Sequence, residues 1–298
     1  MFFPLELMPH VTHPLMRRLG PEAERMVAAR HLFQYLLFTT HFELGVVNRA
    51  TARIAQGDIG IRLPNAARAD ALKIYTDEAY HALSSIDLVA RLEAVVGIQA
   101  LPYDFAPYLT RLDEVGRHAL PGRLQLAQLL QVVVFETLVT SILTVVPADR
   151  TVLDIVRDTV ADHAEDERRH HAYFSAFFRE LWAGLDRAER AATARCLPQL
   201  IRQSLQPDLT PTSKALAAAG MKPSDIRTVL AESYSNDRQV REAAIIARHS
   251  VRLFRNCGVL DTPEAVDAFE AAGLLPRESP DSNSLEPAAC GNAPGSRP

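Results

Sequence analysis

Residues 77–81 read Asp-Glu-Ala-Tyr-His, and residues 166–170 read Asp-Glu-Arg-Arg-His, so one pattern occurs twice in the chain. Both copies lie in long stretches whose apolar residues recur at helical spacing. Helical residues three positions apart share a face, so each Glu-x-x-His predicts a carboxylate and an imidazole that project together. The repeat therefore predicts two helices, each presenting an acid and a base to the same side.

Each copy follows another long helical stretch that carries a lone glutamate in apolar surroundings. Glu43 stands in the run Phe-Glu-Leu-Gly-Val-Val, and Glu136 stands in Val-Val-Val-Phe-Glu-Thr-Leu-Val. Burying an unpaired carboxylate costs on the order of several kcal/mol, so each of these glutamates requires a cation or a proton. A metal ion meets this requirement, and a protonated or salt-bridged structural network is the alternative.

Two Glu-x-x-His pairs with two lone glutamates are the ligand set of ferritin-like di-metal bundles. Carboxylate oxygens and imidazoles suit iron or manganese, and the lack of thiolates disfavours zinc. Iron is favoured over manganese because oxygen chemistry needs a redox-active centre. The ligands predicted in this way are Glu43, Glu78, His81, Glu136, Glu167 and His170.

His163 adds a third imidazole to this set. It lies four residues before Glu167 and seven before His170, so the three side chains form one stripe along a helix. We expect His163 to be a seventh metal ligand and, together with Glu136, a catalytic residue. The alternative is a histidine that is satisfied within the core.

An aspartate precedes each Glu-x-x-His pair, Asp77 in the first and Asp166 in the second. A metal-bound histidine commonly donates its other ring proton to a carboxylate, which fixes its tautomer. Both aspartates are therefore candidate partners of the ligating histidines, and Arg169 is a candidate to neutralise one of them. Ordinary charges on the helix surface are the alternative.

The apolar periodicity predicts an all-α protein, a ferritin-like four-helix bundle with additional C-terminal helices. No run alternates apolar and polar residues over the length of a strand. The long helices are predicted over about residues 21–56, 64–96, 120–145 and 149–184, with a proline-containing connection at 101–115 that has room for a short helix. Shorter helices are predicted over about 186–205, 223–234, 237–256 and 262–272.

Three parts of the chain are distinguished by composition. Residues 1–20 contain three prolines and are predicted to form an extended N-terminal arm on the body. Residues 21–275 form the bundle with its C-terminal helices. Residues 276–298, rich in Pro, Ser and Asn, are predicted to be a disordered tail that the chemistry does not need.

The composition of the 298 residues argues against several classes of function. The chain is 48% hydrophobic and 23% charged, which is typical of a globular protein, and its net charge of -4 provides no basic face for nucleic acid. Cys196, Cys257 and Cys290 form neither a disulfide framework nor a CxxC site, so a cytoplasmic location is expected. The apolar run 124–146 contains Glu136 and several glutamines, so we expect a core helix and no contact with a membrane.

The ordered pattern Glu43, Glu78-x-x-His81, Glu136, His163-x-x-x-Glu167-x-x-His170 resembles that of the p-aminobenzoate N-oxygenase (AurF-like) family of non-haem di-iron oxygenases. The resemblance covers about residues 20–180 and implies that these seven residues hold two iron ions. It also implies oxidation of a primary amine, aryl or alkyl, to a hydroxylamine, nitroso or nitro compound in natural-product biosynthesis. Dioxygen and electrons from a donor protein or a small reductant would be required, and a homodimer is the assembly that we consider.

Two other functions fit much of the same ligand set. A di-iron hydroxylase or desaturase that acts on carbon shares the other six ligands but does not require His163. An iron-storage or ferroxidase bundle also uses carboxylates and imidazoles, but a minimal four-helix ferritin unit would not need the helices that follow residue 186.

The sequence offers few candidates for substrate recognition. An anionic amine would need a buried cation, and Arg241 and Arg248 are seven residues apart on the predicted helix 237–256. A solvated basic face is the alternative. Aromatic residues on the ligand-bearing helices are candidates to line a pocket, although a place in the core is the default: Phe38, Tyr75, Tyr80 and Phe135.

Overall fold

The computed structural model describes residues 1–138 and 142–276, and its regular elements are all helices. The predicted all-α, ferritin-like class is confirmed. In chain order the α-helices are α1 (Pro14–Arg17), α2 (Pro21–Phe42), α3 (Asn48–Gln56), α4 (Asn65–Val96), α5 (Ala106–Ala119), α6 (Leu124–Thr137), α7 (Ile142–Ala148), α8 (Asp154–Gly184), α9 (Arg187–Leu205), α10 (Thr210–Ala218), α11 (Pro223–Ser233), α12 (Asn236–Ile246), α13 (Arg248–Asn256) and α14 (Pro263–Ala271). A 3₁₀ turn covers Leu5–Leu7, and a π-helical turn, Glu43–Val47, joins α2 to α3.

The first two long helices begin and end close to the predicted positions. The α2–π–α3 helix begins at Pro21, whose fixed φ suits a first turn, and ends at Gly57 with a φ of 82°. Helix α4 follows Pro64 and ends at Gly97 with a φ of 71°. Both helices therefore stop where a glycine adopts the left-handed conformation that other residues avoid.

The predicted third helix, 120–145, is wrong as a single element. Helix α6 ends at Thr137, and Leu138 has an extended backbone with a φ of -81° and a ψ of 102°. Pro147 does not stop the next helix, because it lies inside the final turn of α7. The connection predicted at 101–115 contains a full helix, α5, and the fourth long helix begins at Asp154 instead of near residue 149.

The chain after α8 also differs from prediction in two places. The predicted helix 237–256 is divided at Ala247 into α12 and α13, and α10 lies in a stretch where no helix was predicted. Helix α9 begins as expected, because Asp186 and Glu189 form a reciprocal capping box at its N-terminus.

The N-terminal arm is not extended as predicted. It contains the 3₁₀ turn and α1, and its side chains Phe3, Met8 and Met16 are fully buried. Its backbone also reaches α8, since the N–H of Leu153 donates to the carbonyl of Met1. The arm is therefore part of the core. The tail predicted to be disordered lies, apart from Pro276, outside the described residues.

The bundle has two apolar clusters with a polar layer between them. One cluster includes Ile74 of α4 and Phe174 of α8, and the other includes Leu88 of α4 and Val160 of α8. Because each helix runs from one cluster to the other, the residues midway along α4 and α8 face each other between the clusters.

The most apolar part of the chain belongs to this core. The stretch Leu124–Ala148 is long and hydrophobic enough to cross a membrane by length and composition, but 67% of its most apolar window is buried inside the protein. Such burial is typical of a core helix in a bundle.

Candidate metal centre

The fold brings all seven predicted ligands into the polar layer. They form two overlapping groups, within each of which the ligand atoms lie within 4.8 Å of one another. Glu78 and Glu167 belong to both groups and therefore lie between the two positions. The first group is Glu43, Glu78, His81, His163 and Glu167, and the second is Glu78, Glu136, Glu167 and His170.

Two histidines stand side by side in the first group. The rings of His81 and His163 are stacked, with centroids 4.1 Å apart. Nε2 of His163 lies 3.0 Å from Oε1 of Glu167 and 3.6 Å from Oε1 of Glu43, and Nδ1 of His81 lies 2.9 Å from Oε2 of Glu78. One nitrogen of each ring is thus directed at the carboxylates.

The second group has a single histidine. Nδ1 of His170 lies 2.9 Å from Oε1 of Glu78, 3.4 Å from Oε1 of Glu167 and 3.9 Å from Oε2 of Glu136. Despite these short distances, three of these atoms are buried without a hydrogen bond: Nδ1 of His170, Oε1 of Glu78 and Oε2 of Glu136. Atoms that converge on one point without aligning with each other have the arrangement expected of ligands around an ion.

The π-helical turn places the first glutamate in this layer. The N–H of Asn48 donates to the carbonyl of Glu43, five residues earlier, instead of the usual four. The wider turn inserts one extra residue into an otherwise continuous helix. Glu43 can therefore face the centre while Val46 and Val47 remain in the apolar core. Turns of this kind occur frequently at functional sites.

Burial and mutual repulsion control protonation at the centre. Burial, followed by the neighbouring charges of Glu78 and Glu167, raises the pKa of Glu43 well above its usual value. Burial and the charge of Glu167 likewise raise the pKa of Glu136. Although burial alone would lower the pKa of His170, its contacts with Glu167 and Glu78 raise it to about 12.

The layer therefore has to hold protons when it holds no metal. Burial would raise the pKa values of Glu78 and Glu167 as well, but their contacts with histidines lower them. Anionic carboxylates surrounded by protonated groups are a site that cations can occupy in place of protons. The donor set, its burial and its unpaired atoms thus fit two divalent metal ions.

The two predicted aspartates each face a histidine of the opposite helix. Nε2 of His81 on α4 lies 3.1 Å from Oδ2 of Asp166 on α8. Nε2 of His170 on α8 lies 3.3 Å from Oδ2 of Asp77 on α4. These crossed pairs orient both rings and link the helices. Arg169, also predicted, is paired with Asp166.

The residues predicted for substrate recognition are not at the centre. Arg241 and Arg248 are exposed and lie on separate helices, α12 and α13, so the shared face assumed for them does not exist. Tyr75 and Tyr80 are also exposed on α4. For Arg241 and Arg248 the exposure agrees with the alternative of a solvated basic face, whereas Tyr75 and Tyr80 lie in neither the predicted pocket nor the core. Phe38 and Phe135 instead pack against the core, which was the default interpretation.

Tyr35 was missed by the sequence analysis. Burial, followed by the negative charges of Glu43 and Glu167, raises the pKa of its hydroxyl. Tyr35 precedes Glu43 by eight residues, which is close to two helical turns, so the two side chains share a face of α2. That spacing is the signal that would have identified it.

A cleft between α4 and α8 was also not predicted. It has a volume of about 750 Å³, and its wall includes His170 and Asp77. Apolar side chains, among them Ile74, Tyr173 and Phe177, form much of the lining. The cleft is lined by Asp77, the partner of Nε2 of His170, and by none of the four glutamates of the polar layer, which Nδ1 of that ring faces.

Long helices whose buried layer combines shared carboxylates with imidazoles define the class of ferritin-like di-metal proteins. The chain belongs to the p-aminobenzoate N-oxygenase (AurF) family, whose model matches residues 1–258. At the level of this family it is an oxygenase of the di-iron type. The match extends beyond the ligand pattern to include the N-terminal arm and the helices up to α13. Comparison with curated proteins gives no match.

Proposed function

We propose that the protein is a di-iron N-oxygenase that oxidises a primary amine in natural-product biosynthesis. The observation that carries this proposal is the pair of overlapping ligand groups, in which Glu78 and Glu167 are shared and His163 supplies a third imidazole. Family membership supports the same activity. Two irons, when bound, would supply the redox chemistry that uses dioxygen and external electrons.

The side chains of the polar layer would hold and insulate this centre. Glu78 and Glu167, which belong to both ligand groups, would help to hold both ions. His81, His163 and Glu43 would complete one site, and Glu136 and His170 would complete the other. The apolar clusters on both sides of the layer exclude bulk water, which limits side reactions with water at the reacting centre. Tyr35, whose pKa is raised by burial and by the charges of Glu43 and Glu167, would keep its hydroxyl proton beside this centre.

The cleft between α4 and α8 is not our candidate for the amine chamber. A molecule in this cleft would meet the Nε2 edge of His170 and its partner Asp77, on the far side of the ring from the carboxylates. Direct transfer of oxygen needs the nitrogen close to the metals themselves. Electrons, in contrast, can pass through a ligand, so this side suits an approach by the electron donor, whether protein or small reductant.

A panel of aryl and alkyl amines, with iron-loaded protein and peroxide as oxidant, tests the proposal. We expect hydroxylamine, nitroso or nitro products by mass spectrometry, with oxygen added to nitrogen. His163→Ala should retain iron, because no negative charge is lost, but should lose most N-oxygenation. His118→Ala, an exposed histidine on α5, is the matched control and should keep full activity.

Several results would contradict the assignment. Oxygenation confined to carbon would favour a hydroxylase, and rapid iron oxidation without any amine product would favour a ferroxidase. Stoichiometric zinc with no activity after iron reconstitution would remove the di-iron centre altogether. N-oxygenation by His163→Ala at the parent rate would make His163 a core histidine.

A further inference from the structure

A row of five rings leads from the polar layer to the surface on the side of the N-terminal arm. Successive ring centroids are 5.4, 5.2, 5.2 and 5.9 Å apart, which are separations of rings in direct contact. We call this row the aromatic path, and its members from the inside outward are Tyr35, Phe3, His31, His10 and Tyr234. The path is therefore continuous from one end to the other.

The inner end of the aromatic path lies beside the metal centre. Burial raises the pKa of the Tyr35 hydroxyl, and the charges of Glu43 and Glu167 raise it further. His31 lies one helical turn before Tyr35, so both side chains project from the same side of α2. Tyr35 is thus the member of the path through which the centre would exchange electrons with the others.

The outer end of the aromatic path lies in a surface pocket of about 290 Å³. Tyr234 lines this pocket together with Leu7, Arg238 and Glu242. The side-chain amide of Gln239 donates to the backbone carbonyl of Tyr234 at 2.7 Å and so fixes its position. A small molecule in the pocket would therefore touch the ring of Tyr234.

A base stands next to the hydroxyl at this outer end. Nδ1 of His10 lies 2.7 Å from the hydroxyl oxygen of Tyr234, and the two rings are stacked. Burial, followed by the charge of His31, lowers the pKa of His10 to about 3, so its ring is neutral at ordinary pH. The hydroxyls of Tyr108 and Tyr173, in contrast, donate to backbone carbonyls, which do not take up protons. Of these three tyrosines, Tyr234 is the one with a base in place.

The pair of His10 and Tyr234 has the arrangement that oxidation of a phenol requires. A tyrosine that has lost an electron is a strong acid, and its proton leaves at once if a base is within hydrogen-bond distance. With the ring proton of His10 on Nε2, its Nδ1 would accept the proton of Tyr234. Because His10 is a weak base in these surroundings, it would return the proton as soon as the electron is restored. The pair is therefore suited to reversible oxidation.

We propose that the aromatic path is an exit for oxidising equivalents from the metal centre when no amine is bound. The proposal rests on the proposed function, because the oxidant is the iron centre after its reaction with oxygen. Tyr234 would lose one electron, which passes inward and reduces the centre by one equivalent, while its hydroxyl proton moves to Nδ1 of His10. A small one-electron donor in the surface pocket, such as ascorbate, would then return an electron to Tyr234, and His10 would return the proton. The other rings pass the electron on and end unchanged.

The surroundings of the centre explain why such an exit is useful. Apolar clusters enclose the polar layer on both sides, so a centre that has reacted with oxygen without substrate would otherwise oxidise its own side chains, among them His81, His163 and His170. Phe3 has no exchangeable proton, so the path conducts electrons and not protons. Proton transfer is thus confined to the outer end, where His10 and Tyr234 meet.

Electron paramagnetic resonance of rapidly frozen samples tests the exit. Iron-loaded full-length protein, mixed with peroxide in the absence of amine, should give a tyrosyl radical signal. Tyr234→Phe and His10→Phe should each lose most of this signal, because the first removes the phenol and the second removes the base. Tyr80→Phe, at a position 62% exposed on α4, is the matched control and should keep the full signal.

Nuclear magnetic resonance of the metal-free protein tests the pair without iron. In protein labelled with ¹⁵N-histidine, His10 should be neutral at neutral pH and carry its ring proton on Nε2. Tyr234→Phe should shift the Nδ1 resonance, because the hydrogen bond is lost, whereas Tyr80→Phe should leave it in place. A ring proton on Nδ1 of His10 would contradict the proposed proton transfer.

Protection by a reductant tests the role of the exit. During exposure to peroxide without amine, ascorbate should preserve the iron content of the parent protein but should protect Tyr234→Phe much less. Peptide mass spectrometry should find more oxidised side chains around the polar layer in this variant. Equal protection of both proteins would show that ascorbate acts by another route, and the exit would be wrong.

The outcomes separate this proposal from the proposed function. A protein that oxidises amines but gives no tyrosyl signal, or gives the same signal in Tyr234→Phe, overturns the exit and leaves the N-oxygenase assignment intact. A radical that depends on Tyr234, in a protein that oxidises none of the amines, supports the exit and contradicts the assignment instead.

Discussion

At the level of single residues, the four glutamates of the polar layer are not equivalent. Glu78 and Glu167 contribute to both ligand groups, whereas Glu43 contributes only to the first and Glu136 only to the second. A carboxylate that belongs to both groups would contact both cations, so its loss would affect both. The sequence motif alone does not distinguish these roles. Each half of the chain supplies one glutamate that is shared by both ligand groups and one that belongs to a single group.

Replacing each of the four glutamates by the uncharged glutamine should therefore lower the iron content by different amounts. The parent protein should bind about two irons per chain. Glu43→Gln or Glu136→Gln should each reduce this to about one iron, because one group keeps its ligands. Glu78→Gln or Glu167→Gln should lose most of both. Mass spectrometry measures the iron content of each variant. Equal losses of iron in all four variants would contradict the assignment of Glu78 and Glu167 to both metal sites.

A second residue-level prediction concerns His10 in the N-terminal arm. Its ring is buried, forms a hydrogen bond of 2.7 Å between Nδ1 and the hydroxyl of Tyr234, and stacks on the ring of Tyr234. Burial, followed by the nearby charge of His31, lowers the pKa of His10 from 6.5 to about 3. The folded protein therefore favours the neutral ring. The stability that follows is fully present above pH 6.5 and is lost as the pH falls towards 3.

Urea unfolding at several pH values between about 6.5 and 5 tests this linkage. His10→Phe keeps the ring contacts but removes the titrating group, so the free energy of unfolding should fall less steeply, by about 1.4 kcal/mol per pH unit. His118→Ala, at an exposed position, should leave the slope unchanged. Parallel slopes for the parent and His10→Phe would mean that His10 keeps an ordinary pKa.

At the level of secondary-structure elements, the polar layer depends on how closely the helices approach. Helices α5 and α6 are in close contact at Gly116, where an added Cβ would overlap the Cβ of Ala127. Helix α6 carries Glu136 further along. The π-helical turn has a comparable role in α2, since it determines which way Glu43 points. The close contact at Gly116 sets how near α6 and its Glu136 come to α5, and the π-helical turn sets the direction of Glu43. In both cases the backbone determines the position of a candidate ligand.

The contact at Gly116 predicts a compensating pair of substitutions. Gly116→Ala should lower the free energy of unfolding by about 1–3 kcal/mol, because α5 and α6 must separate. Ala127→Gly added to it should recover most of this loss by returning the space. Urea midpoints measure stability, and iron content reports the position of Glu136. A neutral effect of Gly116→Ala alone would show that the helices move apart freely.

At the level of the whole molecule, the two ends of the chain should contribute differently to thermal stability. Phe3 is fully buried and contacts His31 and Tyr35, with ring centroids 5.2 Å and 5.4 Å apart. Phe3→Ala should therefore cost about 3–5 kcal/mol and lower the Tm. Removal of the residues after Pro276 should leave both the Tm and the iron content unchanged. Equal thermal shifts for the two variants, measured by calorimetry, would contradict this asymmetry.

The sequence by itself determined the helical class and the residues of the polar layer. Helical spacing is a local property, so Glu-x-x-His pairs and glycine stops could be identified without knowing any contact. The burial of Glu43 and Glu136 followed from their apolar surroundings, since a carboxylate is buried only where something neutralises it, and the Glu-x-x-His spacing identified Glu78 and Glu167.

Only the tertiary structure decided which atoms face each other. The crossed pairs of Asp77 with His170 and Asp166 with His81, and the sharing of Glu78, depend on how α4 packs against α8. Arg241 and Arg248 were misplaced because periodicity continues through Ala247, where the backbone turns and begins a new helix. The exposure of Leu72, Leu83 and Ile86 on α4 was likewise hidden, because a buried and an exposed apolar face have the same sequence pattern.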